Sequence, residues 1–191
     1  MRRAEAQFVG WALALLGMAA AAPALADPPV SVDKPTTLNP VVAETFAPLL
    51  ANWIRESRDA ALTEGVEPVP RTIRDALRGY VPDAVLEKAR WRAGGGGGLS
   101  LQQSLFRIGD YEAVTLDYVV VFLDAQKAEE DPKLWAHELK HVMQFAEWGI
   151  GGFAARYLRD YEAVEHDAAE YRWQFMKQAG LIPPVSSPQT E

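Results

Sequence analysis

The 191-residue sequence has no cysteine, only three histidines, no surplus of positive charge, and no long apolar run after residue 22. Without cysteine there is no disulfide framework and no lipid anchor of the bacterial lipoprotein kind. An exported fold of this composition must rest on its hydrophobic core, with a bound metal as the remaining staple. A formal net charge of −7 argues against nucleic acid and anionic lipid as partners. No segment after residue 22 is apolar enough for a bilayer span. Five glycines stand at 94–98, but neither a lysine nor a helix-opening threonine follows, so the pattern of a phosphate-cradling loop is missing. They read as a surface loop. No internal repeat is present.

The few histidines are concentrated. Residues 134–146 read L-W-A-H-E-L-K-H-V-M-Q-F-A, and within them His137, Glu138 and His141 spell H-E-x-x-H. Positions i and i+4 lie one above the other on a helix, so the two imidazoles can face one ion. Glu138 stands beside the first of them, where a carboxylate can act as general base. A shuffled chain of this composition would hold about 0.004 such matches, so the motif is not an accident of composition. Asp131-Pro132 supplies helix-start residues upstream. The third histidine, His166, falls in the next helical segment.

The first 26 residues read as an address. Arg2 and Arg3 precede an apolar run at 8–22, Ala24-Leu25-Ala26 forms an A-x-A cleavage site, and Asp27-Pro28-Pro29 breaks any helix after it. This predicts a secretory signal peptide cut after Ala26, and a periplasmic or secreted protein with no stable membrane insertion after cleavage. Residues 27–69 then form an extended lead-in and one helix, 70–179 a single domain, and 180–191 a loose tail.

Asn39-Pro40 opens the first helix, which runs to about residue 63 and ends at Gly65. Val42, Phe46, Leu49, Leu50, Trp53 and Ile54 mark its stripe at helical spacing, read as core. Glu67-Pro68-Val69-Pro70 reads as a linker, 73–79 and 82–88 as short helices, and 89–92 as a short strand. Arg71, Arg74, Arg78, Lys88, Arg90 and Arg92 read as a solvated, salt-bridged face. One or two helical turns follow at 100–106. The β-branched runs 113–116 and 118–123 read as strands of a small sheet, and 124–131 as a charged loop. The motif helix spans 132–148 until glycines 149, 151 and 152 break it; helices at 153–159 and 162–178 follow.

A catalytic zinc takes three protein ligands and leaves a position for water. The third histidine of the metzincin pattern is missing, because Gln144 and Glu147 stand where that pattern needs glycine and histidine. A carboxylate on the following helix is the alternative. Glu165 is the first choice, Glu162 the second, with His166 and Asp160 behind them. Tyr157, Tyr161, Tyr171 and His166 are the candidate oxyanion donors, and the strand at 118–123 is a candidate edge for an extended peptide.

The motif helix Leu134-Trp-Ala-His-Glu-Leu-Lys-His-Val-Met-Gln144, the strand pair Val114-Thr-Leu116 and Tyr118-Val-Val-Val-Phe122, and Glu165-His-Asp-Ala168 together resemble the DUF4157 family. That family is a gluzincin-type metallopeptidase domain, also called the core domain of extracellular contractile injection system proteins. The resemblance covers about residues 70–176. It implies His137, His141 and Glu165 as ligands and Glu138 as base. Two departures stand out. Ala169 occupies the position where an orienting acid often follows the third ligand, leaving Asp167 or Asp160 for that task, and Asp160-Tyr161 replaces the family's frequent Asn-Pro.

The expected fold is therefore α+β and mostly helical: a minimal zincin-like domain with a small β-sheet and the H-E-x-x-H helix. The expected function is an exported Zn2+-dependent metallopeptidase acting on a peptide or protein. The competing expectation is a catalytically silent, zinc-stabilised interaction domain of the same fold. A hydrolase acting on cell-wall material is a third, suggested only by the address.

Overall fold

The computed structural model describes residues 39–94 and 112–182. The expected signal peptide and extended lead-in, most of the glycine run, the helical turns expected at 100–106 and the residues from 183 on lie outside the described residues.

Helix α1 (Pro40–Glu64) starts where the sequence says it should. Asn39 Oδ1 accepts a bond from Val41 N at 3.0 Å, and Pro40 fills the first turn. Gly65, at φ 101°, ends it. Its inward face differs from the expected stripe. Ala43, Ala47, Ala51, Ile54, Ser57 and Ala61 are buried, while Leu49 is exposed and Val42, Phe46, Leu50 and Trp53 are only half-buried. Small side chains bring the helix backbone close to its neighbour, and the large ones pack along the flanks. That neighbour is the motif helix: the alanine face shares a core with Phe145, Phe153, Leu158 and Val164.

Strand β1 (Glu67–Pro68) occupies part of the expected linker. Helices α2 (Arg71–Leu77) and α3 (Asp83–Lys88) and strand β2 (Arg90–Ala93) follow. Strand β1 exists because β2 gives it partners: Glu67 pairs with Trp91, Pro68 pairs with Arg90, and Trp91 Nε1 donates to Pro68 O at 3.1 Å. Strands β3 (Ala113–Leu116) and β4 (Val119–Phe122) form a hairpin whose turn places Asp117 at φ 62°. Asp tolerates that left-handed conformation better than most residues. Arg58 of α1 pairs with Asp117 at 2.9 Å and ties the turn to the first helix. Arg92 and Glu64 form a second tie between β2 and the end of α1.

The sheet order is β1-β2-β4-β3, antiparallel except for the parallel β2–β4 pair. Strand β4 therefore lies between two neighbours, with all four residues buried. The strand expected to offer a free edge is the interior one. The edge strands are β1 and β3. On one face of β4, Val120 and Phe122 enter the main core with Trp91, Trp135, Leu139 and Val142; on the other, Val119 and Val121 meet Ala61 and Leu116.

The stretch at 124–131 is not a loop. It holds helix α4 (Ala125–Glu130), capped by Asp124 and anchored by the buried Ala128. Helix α5 (Pro132–Arg159) begins at Asp131, whose Oδ1 accepts from Lys133 N at 3.0 Å and Leu134 N at 3.2 Å. As the glycines imply, the helix is interrupted at Gly149, whose φ of 67° and ψ of 166° are not helical, so the span is two helical segments meeting at a kink. Beyond the kink, Phe153 folds back to stack on Phe145, ring centroids 3.8 Å apart. Helix α6 (Tyr161–Gln178) then starts at Asp160, whose Oδ1 accepts from Ala163 N at 3.1 Å. The molecule is α+β and mostly helical, with one small mixed sheet, as the sequence implies.

Candidate metal centre

The motif helix sets the first two donors. On α5 the rings of His137 and His141 stand one turn apart, and their Nε2 atoms are 3.2 Å from each other. The return of the chain through the Gly149 kink and α6 supplies the third. Glu165 Oε2 lies 3.3 Å from His137 Nε2, and its Oε1 lies 3.6 Å from His141 Nε2. Among the described residues these three form the one group of acidic or imidazole side chains whose donor atoms gather within 4.8 Å. Ligands about 2.0–2.1 Å from a tetrahedral zinc stand roughly 3.3 Å apart, so the spacing suits that ion.

Glu165, not Glu162, turns to the histidines. Val164 and Ala168 are the buried face of α6, which brings their neighbour Glu165 to the rim of the core and leaves Glu162 exposed in the first turn. His166 is exposed on the same helix, and Asp160 is spent as its cap.

The charges agree with a site that holds a cation. Burial pushes His141 down, but the facing Glu165 carboxylate, Glu138 and the bond to Gln144 outweigh it and lift the imidazole to about 9. Burial pushes Glu165 up, and the two imidazoles outweigh it, holding its carboxyl well below the usual range. Without a metal, a proton supplies the positive charge that the three donors surround.

Glu138 points elsewhere. It is 5 % exposed, and its Oε2 accepts a bond from Thr115 Oγ1 at 2.7 Å. The same hydroxyl lies 3.2 Å from Glu138 O, so edge strand β3 grips the base and its helix turn together. Gln144, 1 % exposed, backs His141: its Oε1 faces His141 Nδ1 at 2.8 Å, while its Nε2 donates to Asp167 Oδ2 at 2.9 Å and Val164 O at 3.2 Å. Lys140 Nζ meets the same Asp167 oxygen at 3.1 Å. Asp167, named as a possible orienting acid, thus reaches the histidine through an amide. By contrast, His137 Nδ1 is buried and finds no hydrogen-bond partner among the described residues.

The tyrosines separate as well. Tyr157 donates its hydroxyl to Glu165 Oε1 at 3.0 Å and stands at the centre. Tyr171 donates to Tyr80 O at 3.0 Å, and Tyr80 donates to Tyr171 O at 2.5 Å, so this pair latches α6 to the α2–α3 turn. Tyr161 is buried in the core.

Residues 68–149 match the family model of the eCIS core domain. The likeness to that family is confined to this segment, which is less than half of the chain. The segment carries β1 to β4 and the motif helix with His137, Glu138, His141 and Gln144. Glu165 lies beyond the match, so its place at the centre rests on geometry alone. Comparisons with curated proteins and with solved structures give no match.

Thr115 and Gln144 are the two site residues that sequence reasoning left aside. Gln144 had a signal: it lies three residues after His141, on the same helix face. Thr115 had a weaker one, as a hydroxyl within the apolar run 113–116.

Proposed function

We propose that the chain is an exported zinc-dependent peptidase. The observation that carries this reading is the convergence of His137 Nε2, His141 Nε2 and a Glu165 oxygen at mutual distances of 3.2 to 3.6 Å, with the Glu138 carboxylate next in sequence to the first ligand. Two imidazoles and one carboxylate are the donor set of catalytic zinc sites that keep a position open. A zinc ion held there supplies Lewis acidity toward a water and a scissile carbonyl.

The chain's own residues have separable tasks. Glu138 takes a proton at its carboxylate and returns it to the leaving amine. Thr115 holds one of its oxygens, so the other is left for that exchange. Tyr157, whose hydroxyl donates to Glu165 Oε1 at 3.0 Å, would turn that proton from the carboxylate to a developing oxyanion. An extended peptide would pair with β3, the strand that carries Thr115 and has a neighbour on only one side among the described residues. Among the described residues no helix is long and apolar enough to cross a membrane.

The test is metal analysis of the purified protein together with peptide-mixture cleavage, with and without a chelator. Zinc with chelator-sensitive cleavage supports the proposal. Zinc without any cleavage selects the silent interaction domain, a reading that the nearly complete burial of Glu138 favours.

A further inference from the structure

Gln144 is a neutral amide, buried in a helix that could have accommodated an apolar residue, and all of its bonding capacity on the page is directed. The direction is fixed by its partners. Asp167 Oδ2 and Val164 O are acceptors only, so the amide nitrogen must face them. The amide oxygen is then the atom facing His141 Nδ1 at 2.8 Å. An amide oxygen accepts and cannot donate, so Nδ1 must carry the proton. In a neutral imidazole the lone pair is then on Nε2, the atom that faces His137 and Glu165. Reversing the amide would set its NH2 against the ring and its oxygen against a carboxylate and a carbonyl, at the loss of the two bonds to Asp167 and Val164 O.

We propose that Gln144 is a positioning residue that fixes His141 in the Nδ1–H tautomer, with Asp167 and Val164 O holding the amide in the one orientation that does so. Lys140 completes the line by neutralising Asp167, so a helix-surface ion pair on α5 and α6 sets the ring of a buried ligand. The two histidines are therefore unequal. His141 is oriented through this line, whereas His137 has no such partner among the described residues.

The inference rests on the metal-centre reading, and its test separates the two. The full chain is titrated with zinc alone, and the His141 Nδ1–H resonance is followed by NMR with and without zinc. Gln144→Met keeps the volume and removes the acceptor. It should weaken zinc binding by about 10- to 100-fold, the usual loss when an orienting partner is removed, and abolish the slowly exchanging Nδ1–H signal. Gln144→Glu keeps an oxygen for Nδ1–H but sets its second oxygen against Asp167 Oδ2 and Val164 O, so it is paired with Asp167→Asn, whose amide can donate to it; this double variant should stay within about threefold of wild type with the signal retained. Asp167→Ala, at a side chain 47 % exposed, tests the line without threatening the fold and should speed exchange of that proton. Wild-type affinity and signal in Gln144→Met would overturn the proposal, as would equal weakening in the Met variant and in the Gln144→Glu, Asp167→Asn double variant. If Gln144→Met does not fold, unchanged exchange in Asp167→Ala overturns it. Should wild type bind no zinc, the metal reading fails, and the ring nitrogen shifts of metal-free His141, read above about pH 9 where the imidazole is neutral, decide this inference: a protonated Nδ1 supports it and a protonated Nε2 overturns it.

Discussion

Glu138 and Glu165 carry the same carboxylate in opposite circumstances. One is gripped by Thr115 beside the ligands, the other faces both imidazoles. Glu138→Gln should therefore keep zinc and lower any hydrolysis by about 10²- to 10⁴-fold, the range of general-base contributions. Glu165→Gln should lose zinc affinity, whereas Glu162→Gln, at an exposed position, should leave it unchanged; isothermal titration with zinc distinguishes them. The metal-free protein carries a pH signature of its own. His141 rises from 6.5 to about 9 on folding, so its contribution to stability is fully present below about pH 6.5 and is lost as the pH climbs through about 9. Glu165 is lowered from 4.5, so its contribution is present above that value and is lost as the pH falls below it. The thermal midpoint of metal-free protein should fall between pH 6.5 and 9.5, while zinc affinity rises over the same interval because binding displaces the His141 proton. A flat midpoint across that interval would contradict the pairing of His141 with Glu165.

Among elements, α5 does most to build the centre, and its kink decides where the third ligand lands. The ψ of 166° at Gly149 together with φ 67° belongs to a region open essentially to glycine. Nothing lies within 4 Å of a Cβ placed there, so Gly149→Ala meets strain without a clash. It should cost about 1–3 kcal/mol in denaturant unfolding and disturb Tyr157 and Glu165 more than the histidines. Equal zinc affinity and unchanged stability would argue against the kink as the device that returns the chain. The motif helix and its Asp131 cap were legible because two histidines at helical spacing and an Asp-Pro pair are local signals. Helix α4 was not legible: three of its six residues are charged and only Ala128 is buried, and Trp135 Nε1, donating to Ala128 O at 2.6 Å, helps hold it from outside. The inward face of α1 was misread because alanines carry little hydropathy signal, yet only they allow its close approach to α5. The choice of Glu165 over Glu162 was left open by spacing alone and depends on the phase of α6, which Asp160 and Val164 set.

Over the whole molecule, the sheet and the main core hold the N-terminal half of α5, while α1 and α6 hold the half beyond it. The family match reaches from β1 to the kink and stops. The sheet order could not be read along the chain, because the parallel β2–β4 pair joins strands separated by residues 94–118. What unites the halves is the centre itself, with two donors from before the kink and one from after it. A metal there should act as a cross-link, and zinc should raise the thermal midpoint in a concentration-dependent way. The most direct measurement of the central claim is zinc stoichiometry of the purified full chain by elemental analysis, in wild type beside His137→Ala, His141→Ala and Glu165→Gln. The expected result is about one zinc per wild-type chain and a marked loss in each variant. Equal zinc in all four proteins, or none in the wild type after zinc loading, would contradict the account.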